Sequence, residues 1–218
     1  MSTALPISIH SDDVLLVTDM QPDFMPGGAL AVDRGDEIVP LVNRLASRFE
    51  QVVATQDWHP PGHASFASTH EGARPFGTKQ LHYGEQVLWP DHCVQGTAGA
   101  ALHPGLAIDH AFLVLRKGGH SDIDSYSAFV EADGKTTTGL GALLKARGIK
   151  RVFVCGLATD FCVAYSALDA RKEGFETFVI EDACRAIDAD GSLNAAWARM
   201  NAADVQRIQS AEILAPTG

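Results

Sequence analysis

The 218-residue sequence is short of cysteine, of basic charge and of long apolar runs, and each shortage removes a class of protein. Four cysteines are too few for a disulfide scaffold, and the absence of any Cys-x-x-Cys pair argues against thioredoxin-type and zinc-ribbon proteins. Free thiols in a reducing cytoplasm are the expectation. Lysine and arginine number 17 against 27 acidic residues, a formal charge of −10. That balance argues against nucleic acid and anionic membrane as partners, since both select basic patches. No apolar stretch exceeds strand length, so no transmembrane span is expected. Met1 to Asp13 lacks a basic start followed by an apolar run, so no secretory signal is expected.

What is present alternates. Val14 to Thr18 is a continuous apolar run of the kind buried on both faces of a parallel sheet. Val52–Thr55, Phe112–Leu115, Val152–Cys155 and Phe175–Ile180 read as further strands, with a short edge strand at Val205–Ile208. Between them, Ile38, Leu41, Val42, Leu45 and Phe49 follow the spacing of an amphipathic helix. Leu140, Leu143 and Leu144 mark a second helix, ended by Gly148. A third runs from about Asp160 to Lys172, and a fourth starts near Ser192. Strands alternating with helices predict a three-layer α/β fold, a mostly parallel sheet with helices on both faces. One domain over 1–218 suffices. The exception is a long region at about 58–105, rich in Pro, Gly and Ser and holding six of the nine histidines: His59, His63, His70, His82, His92 and His103. Loops of this length inside a compact domain are usually functional.

In an open α/β sheet, ligands bind beyond the carboxyl ends of the strands. Asp19 ends the first strand, Asp57 follows the second, Lys117 follows the third, and Cys162 lies just past the fourth at a helix opening. Alone, Asp19 also suits a helix or turn cap, Lys117 a solvated surface charge and Cys162 a structural thiol. Together on one rim they suggest a thiol nucleophile, which a helix N-terminus and a nearby Lys would bias toward thiolate. Cys155 reads as a buried small hydrophobe, Cys184 as a loop residue, and Cys93 as a ligand or packing. In Asp57-Trp58-His59 the carboxylate and imidazole are two positions apart, so they share one side of an extended segment. His92 would complete a set for a divalent transition metal. His70, His82 and His103 read as loop histidines.

These segments resemble the nicotinamidase/pyrazinamidase branch of the isochorismatase-like cysteine hydrolases. Asp19-Met20-Gln21-Pro22-Asp23-Phe24 is similar to that family's Asp-x-Gln-Asn-Asp-Phe opening, with Pro22 in place of the usual Asn. Thr55 to Pro60 resembles its metal segment, Trp89 to Cys93 the segment with the third ligand, and Lys117-Gly118 the catalytic lysine. Gly156 to Val163 resembles the nucleophile segment, and Ala128 stands where Gly is frequent. The resemblance covers about residues 14–208, with the motifs in the family's order.

It implies a catalytic triad of Asp19, Lys117 and Cys162, and a metal (zinc, iron or manganese) on Asp57, His59 and His92. His63 is the candidate fourth ligand or a supporting group. It also implies a non-proline cis peptide at Leu157-Ala158 and an oxyanion hole of the Ala158 and Cys162 backbone N–H groups. Phe24 and Trp89 would flank the substrate ring, although Trp89 also suits the core. The implied reaction is hydrolysis of nicotinamide, and of pyrazinamide, to the acid and ammonia through a Cys162 thioester. In that reading the metal binds the pyridine nitrogen, and the enzyme serves pyridine nucleotide salvage. The alternatives are a superfamily amidase acting on carbamoyl or ureido groups, a metallohydrolase using metal-bound hydroxide, and a non-catalytic metal-binding or redox protein. A homo-oligomer is left open.

Overall fold

The computed structural model describes residues 6–215, so the ends of the expected 1–218 domain and the start of the Met1–Asp13 segment lie outside the described residues. Six parallel strands form the central sheet: β1 (Asp13–Thr18), β2 (Gln51–Asp57), β5 (Leu113–Lys117), β6 (Arg151–Leu157), β7 (Glu176–Arg185) and β8 (Gln206–Ile208). Their spatial order is β5-β2-β1-β6-β7-β8. Every residue of β1 is buried, as its unbroken apolar sequence requires at the sheet centre. The β8 edge strand forms as expected.

Helices α1 (Val39–Ala46), α2 (Leu140–Ala146), α3 (Ala164–Lys172), α4 (Ser192–Ala202) and α5 (Ser210–Leu214) flank the sheet. From β1 the chain steps to β2 in one direction; from β6 it steps to β7 in the other. Right-handed crossovers therefore put α1 and α3 on opposite faces and leave a crevice between the carboxyl ends of β1 and β6. The register fixes that rim. Val17 pairs with Cys155 and Thr18 with Gly156, while Asp57 pairs with Lys117 at the ends of β2 and β5. Gly156 has φ 114°, and a Cβ there would stand 2.1 Å from the Thr18 carbonyl oxygen, so only glycine lets these two strand ends approach.

Four features depart from the sequence expectations. The third strand runs to Lys117, placing the lysine in the strand rather than after it. The next-to-last strand continues to Arg185, so Cys184 lies in a strand and not in a loop. The expected helix from Asp160 splits into a π-helical turn at Thr159–Val163 followed by α3, so Cys162 sits in the turn. Finally, β3 (Thr78–Leu81) and β4 (Gly84–Val87) form an antiparallel hairpin inside the 58–105 region. Only Gln86 among its strand residues is buried, and a strand with little to bury carries almost no apolar alternation to read. No helix among the described residues is long and apolar enough to cross a membrane.

Candidate active site

Asp19, Lys117 and Cys162 come together at the β1/β6 crevice, all buried. The Lys117 ammonium lies 2.9 Å from Asp19 Oδ2 and donates to Asp57 Oδ1 at 2.6 Å, the Ser125 carbonyl at 2.9 Å and Cys162 Sγ at 3.4 Å. Those three bonds use its three protons. Asp19 Oδ2 is thus ion-paired yet receives no hydrogen bond, one of two such buried side-chain atoms among the described residues, with Thr18 Oγ1. The other oxygen, Oδ1, accepts from the Thr55 hydroxyl at 2.5 Å, and the Asp19 N–H donates to the same hydroxyl oxygen at 3.1 Å. This exchange holds Asp19 at a left-handed φ of 48°, a conformation unusual outside glycine. The Cys162 thiol, which shares Lys117 with this carboxylate, is a natural donor to Oδ2.

The electrostatics agree on who holds the proton. Burial raises the Asp19 pKa; Lys117 opposes this and Asp57 adds to it, leaving Asp19 above the ordinary carboxylate value. Burial acts the same way on Asp57, but there the Lys117 ammonium outweighs it and the carboxyl is held well below that value. Lys117 is raised well above its usual value: burial works against its charge, but Asp19, Asp57 and Cys162 outweigh burial. The Cys162 thiol is also pushed well up, by burial first and by both carboxylates, despite the lysine. Burial therefore works against the thiolate bias that the helix opening and Lys117 suggest from the sequence. A desolvated sulfur beside two carboxylates keeps its proton until Asp19 takes it.

Asp57, His59 and His92 converge beside this triad. Asp57 Oδ2 lies 3.6 Å from His59 Nε2 and 3.7 Å from His92 Nε2, and all three residues are buried. His59 Nδ1 lies 3.0 Å from the Gly118 carbonyl oxygen and His92 Nδ1 lies 2.8 Å from the Pro90 carbonyl oxygen. A carbonyl can only accept, so each Nδ1 carries the proton and each Nε2 lone pair faces Asp57. One carboxylate oxygen and two imidazole lone pairs are a donor set for a divalent metal, and their ligand atoms lie within 4.8 Å of one another. His63 stands beside this trio, its ring 4.4 Å from that of His59. Its Nε2 donates to the Ile123 carbonyl at 3.2 Å, and its Nδ1 accepts from the Ser65 N–H at 3.2 Å, so both nitrogens are engaged by protein.

Gly118 makes the trio fit. It has φ 68°, and a Cβ there would lie 2.5 Å from His59 Cε1. Gly118→Ala is expected to displace the His59 ring and weaken zinc binding about 10-fold or more, a loss typical when a ligand's support is removed. Titration of the apoprotein with zinc against a competing chelator reads this directly; unchanged affinity would remove His59 from the set.

A small pocket joins the two clusters, lined by Asp57, His92, Asp124, Ala158 and Cys162 together with apolar and aromatic groups. Phe24 and Trp89 both line it, joined by Leu30, Tyr126, Phe161 and Ile187. Trp89 is also nearly inaccessible, packs edge-on to Phe161 at 4.9 Å and donates to the Tyr126 hydroxyl at 2.9 Å, so wall and core are one role. The Leu157-Ala158 peptide is cis.

Several supporting residues escaped the sequence reading. Gln21 donates to the Asp57 carbonyl at 2.9 Å and accepts the Asp57 N–H at 2.8 Å, tying the ends of β1 and β2 together. Its place in the Asp19-Met20-Gln21 run was the available signal. The Ser125 carbonyl and the Tyr126 ring act through a loop whose conformation no local pattern announces.

The chain is similar to known proteins over most of its length. Residues 13–212 match the family model described as Isochorismatase domain. The chain is 58% identical over 200 residues to the nicotinamidase of Acinetobacter baylyi, covering 92% of this chain and 94% of that protein. A solved Acinetobacter baumanii nicotinamidase and pyrazinamidase superposes with a TM-score of 0.92 at 57% identity, over 93% of this chain and 98% of the other. A structure from L. infantum in complex with nicotinate gives 0.84 at 44% identity, over 96% of this chain and 98% of the other.

Proposed function

The chain belongs to the isochorismatase family, and on that premise we propose that it is a nicotinamidase, hydrolysing nicotinamide to nicotinate and ammonia. The observation that carries the reading is the junction of a Cys–Lys–Asp triad with an Asp–His–His donor set at one pocket walled by Phe24, Trp89 and Phe161. A carbamoyl-specific amidase has no use for the second cluster. Pyrazinamide has the same carboxamide on a ring with two nitrogens, and is a substrate on the same reading. The 218 residues act as one isochorismatase-like hydrolase domain, in the cytoplasm.

The carboxamide carbon lies against Cys162 Sγ, and Phe24 and Trp89 hold the ring. Asp19 Oδ2, the oxygen without a hydrogen bond, takes the thiol proton as sulfur attacks. Lys117 stays charged throughout and stabilises the anionic partners on either side. The backbone N–H groups of Ala158 and Cys162 receive the oxyanion, where each donor is worth roughly 3 kcal/mol. Asp19 then passes its proton to the leaving ammonia, and water, deprotonated by the same carboxylate, cleaves the thioester. A divalent metal held by Asp57, His59 and His92 supplies a Lewis-acidic point for the pyridine nitrogen; zinc, iron and manganese all suit that donor set. His63 packs against the His59 ring and supports it.

The test is ammonia release from the purified, reduced, metal-loaded protein given nicotinamide or N-carbamoylglycine. Release from nicotinamide with none from the ureido compound is expected. The reverse pattern would replace the pyridine reading by the carbamoyl one.

A further inference from the structure

Asp160 lies two residues before the proposed nucleophile, is buried, and is not part of the triad or the metal set. Its carboxylate accepts the Ile187 N–H at 3.1 Å, the Asp188 N–H at 2.8 Å and the Ser192 hydroxyl. All three donors come from one short stretch, Ile187 to Ser192, that leads from β7 into the first residue of α4. That segment does not hold its own shape cheaply: Asp188 and Asp190 have φ of 52° and 51°, and Gly191 has 82°. Non-glycine residues there cost free energy that outside contacts must offset. A buried carboxylate needs its donors as much as the segment needs its anchor. The two therefore specify one another's position.

Ile187, the first residue of the clamped segment, lines the pocket. On the nicotinamidase reading, Asp57, His92 and Cys162 form the polar side that takes the ring nitrogen and the carboxamide, while Ile187 belongs to the apolar lining. In nicotinamide, ring carbon C5 is meta to both, so it is the corner that the polar side leaves to the apolar wall. We propose that Ile187 is the residue that limits substituents at this corner and that Asp160 is a positioning residue that sets its place, binding the pocket wall to the nucleophile turn. The identity of the ring rests on the nicotinamidase reading; the size limit itself does not.

The experiment compares wild type, Ile187→Ala, Asp160→Asn and the double variant. The first readout is kcat/KM for 5-methylnicotinamide relative to nicotinamide. The second needs no turnover: the rate of Cys162 alkylation by N-benzyl iodoacetamide relative to iodoacetamide, followed by intact mass against Cys162→Ala. Ile187→Ala is expected to raise both ratios about 10-fold or more, the usual weight of a removed hydrocarbon contact. Asp160→Asn puts an N–H donor where an acceptor is needed, and should raise the same ratios. The double variant should add little beyond the larger single effect. Unchanged ratios in Ile187→Ala overturn the size limit. An Asp160→Asn protein that melts earlier with both ratios unmoved shows a merely structural tie. If wild type releases no ammonia, the nicotinamidase reading falls, and the alkylation ratios still decide this one.

Discussion

Cys162→Ala is expected to lower ammonia release from nicotinamide by about 10⁴-fold or more, the scale on which enzymes lose activity when the nucleophile is deleted. The pocket, the donor set and Lys117 all remain, so nicotinamide binding and metal content should change little. That combination separates this chemistry from a metallohydrolase. If metal-bound hydroxide attacked the amide, sulfur would be a bystander, and the alanine variant would keep most of its rate. Two measurements settle it: steady-state turnover of the variant, and its metal content after gel filtration. A variant with full metal and substantial turnover would show that the nucleophile has been misassigned. Lost turnover with lost metal would instead mean that the substitution had disturbed the site at large, a result the intervening Lys117 makes unexpected.

Much of this site was legible because strand ends are legible. Val14–Thr18 and Val152–Cys155 are unbroken apolar runs, and residues just beyond them must land on the rim of a parallel sheet. Asp19 and Cys162 could thus be paired across 143 positions of sequence without knowledge of any contact. The Asp57-x-His59 spacing was readable for the same reason. What could not be read was local electrostatic balance. A lysine near a cysteine suggests thiolate, but Lys117 is shared among Asp19, Asp57 and Cys162, and full burial turns the thiol the other way. The π-helical turn around Cys162 was also hidden, since its residues suit an α-helix equally well. The β3–β4 hairpin buries too little to leave a pattern. Asp160 carried no local signal at all, because its partners are 27–32 residues downstream.

Lys117→Met is the other substitution with a large expected effect, and it acts on stability and activity together. The two side chains have similar length, so the change removes charge more than volume. The wild-type ammonium is fully buried, 2.9 Å from Asp19 and 2.6 Å from Asp57. Without it, two desolvated carboxylates face each other across a thiol with no cation of the triad between them. Deleting one partner of a buried ion pair typically costs about 3–5 kcal/mol. The pH dependence should invert. In wild type, Asp57 is held well below its ordinary value, so its contribution is present above the unfolded pKa and fades as pH falls through the folded one. In the variant, burial with no cation raises the folded carboxyl pKa, so the neutral form is favoured and stability is lost as pH rises. Urea unfolding of the apoprotein should therefore show the largest gap between variant and wild type near neutrality and the smallest in acid. Metal on Asp57, His59 and His92 would restore part of the missing positive charge, so chelator should destabilise Lys117→Met more than wild type. Turnover should fall at least about 10³-fold, because Asp19 without Lys117 keeps its own proton and cannot take that of Cys162. An equally stable variant with an unchanged pH profile would mean that water, not Lys117, balances the two carboxylates.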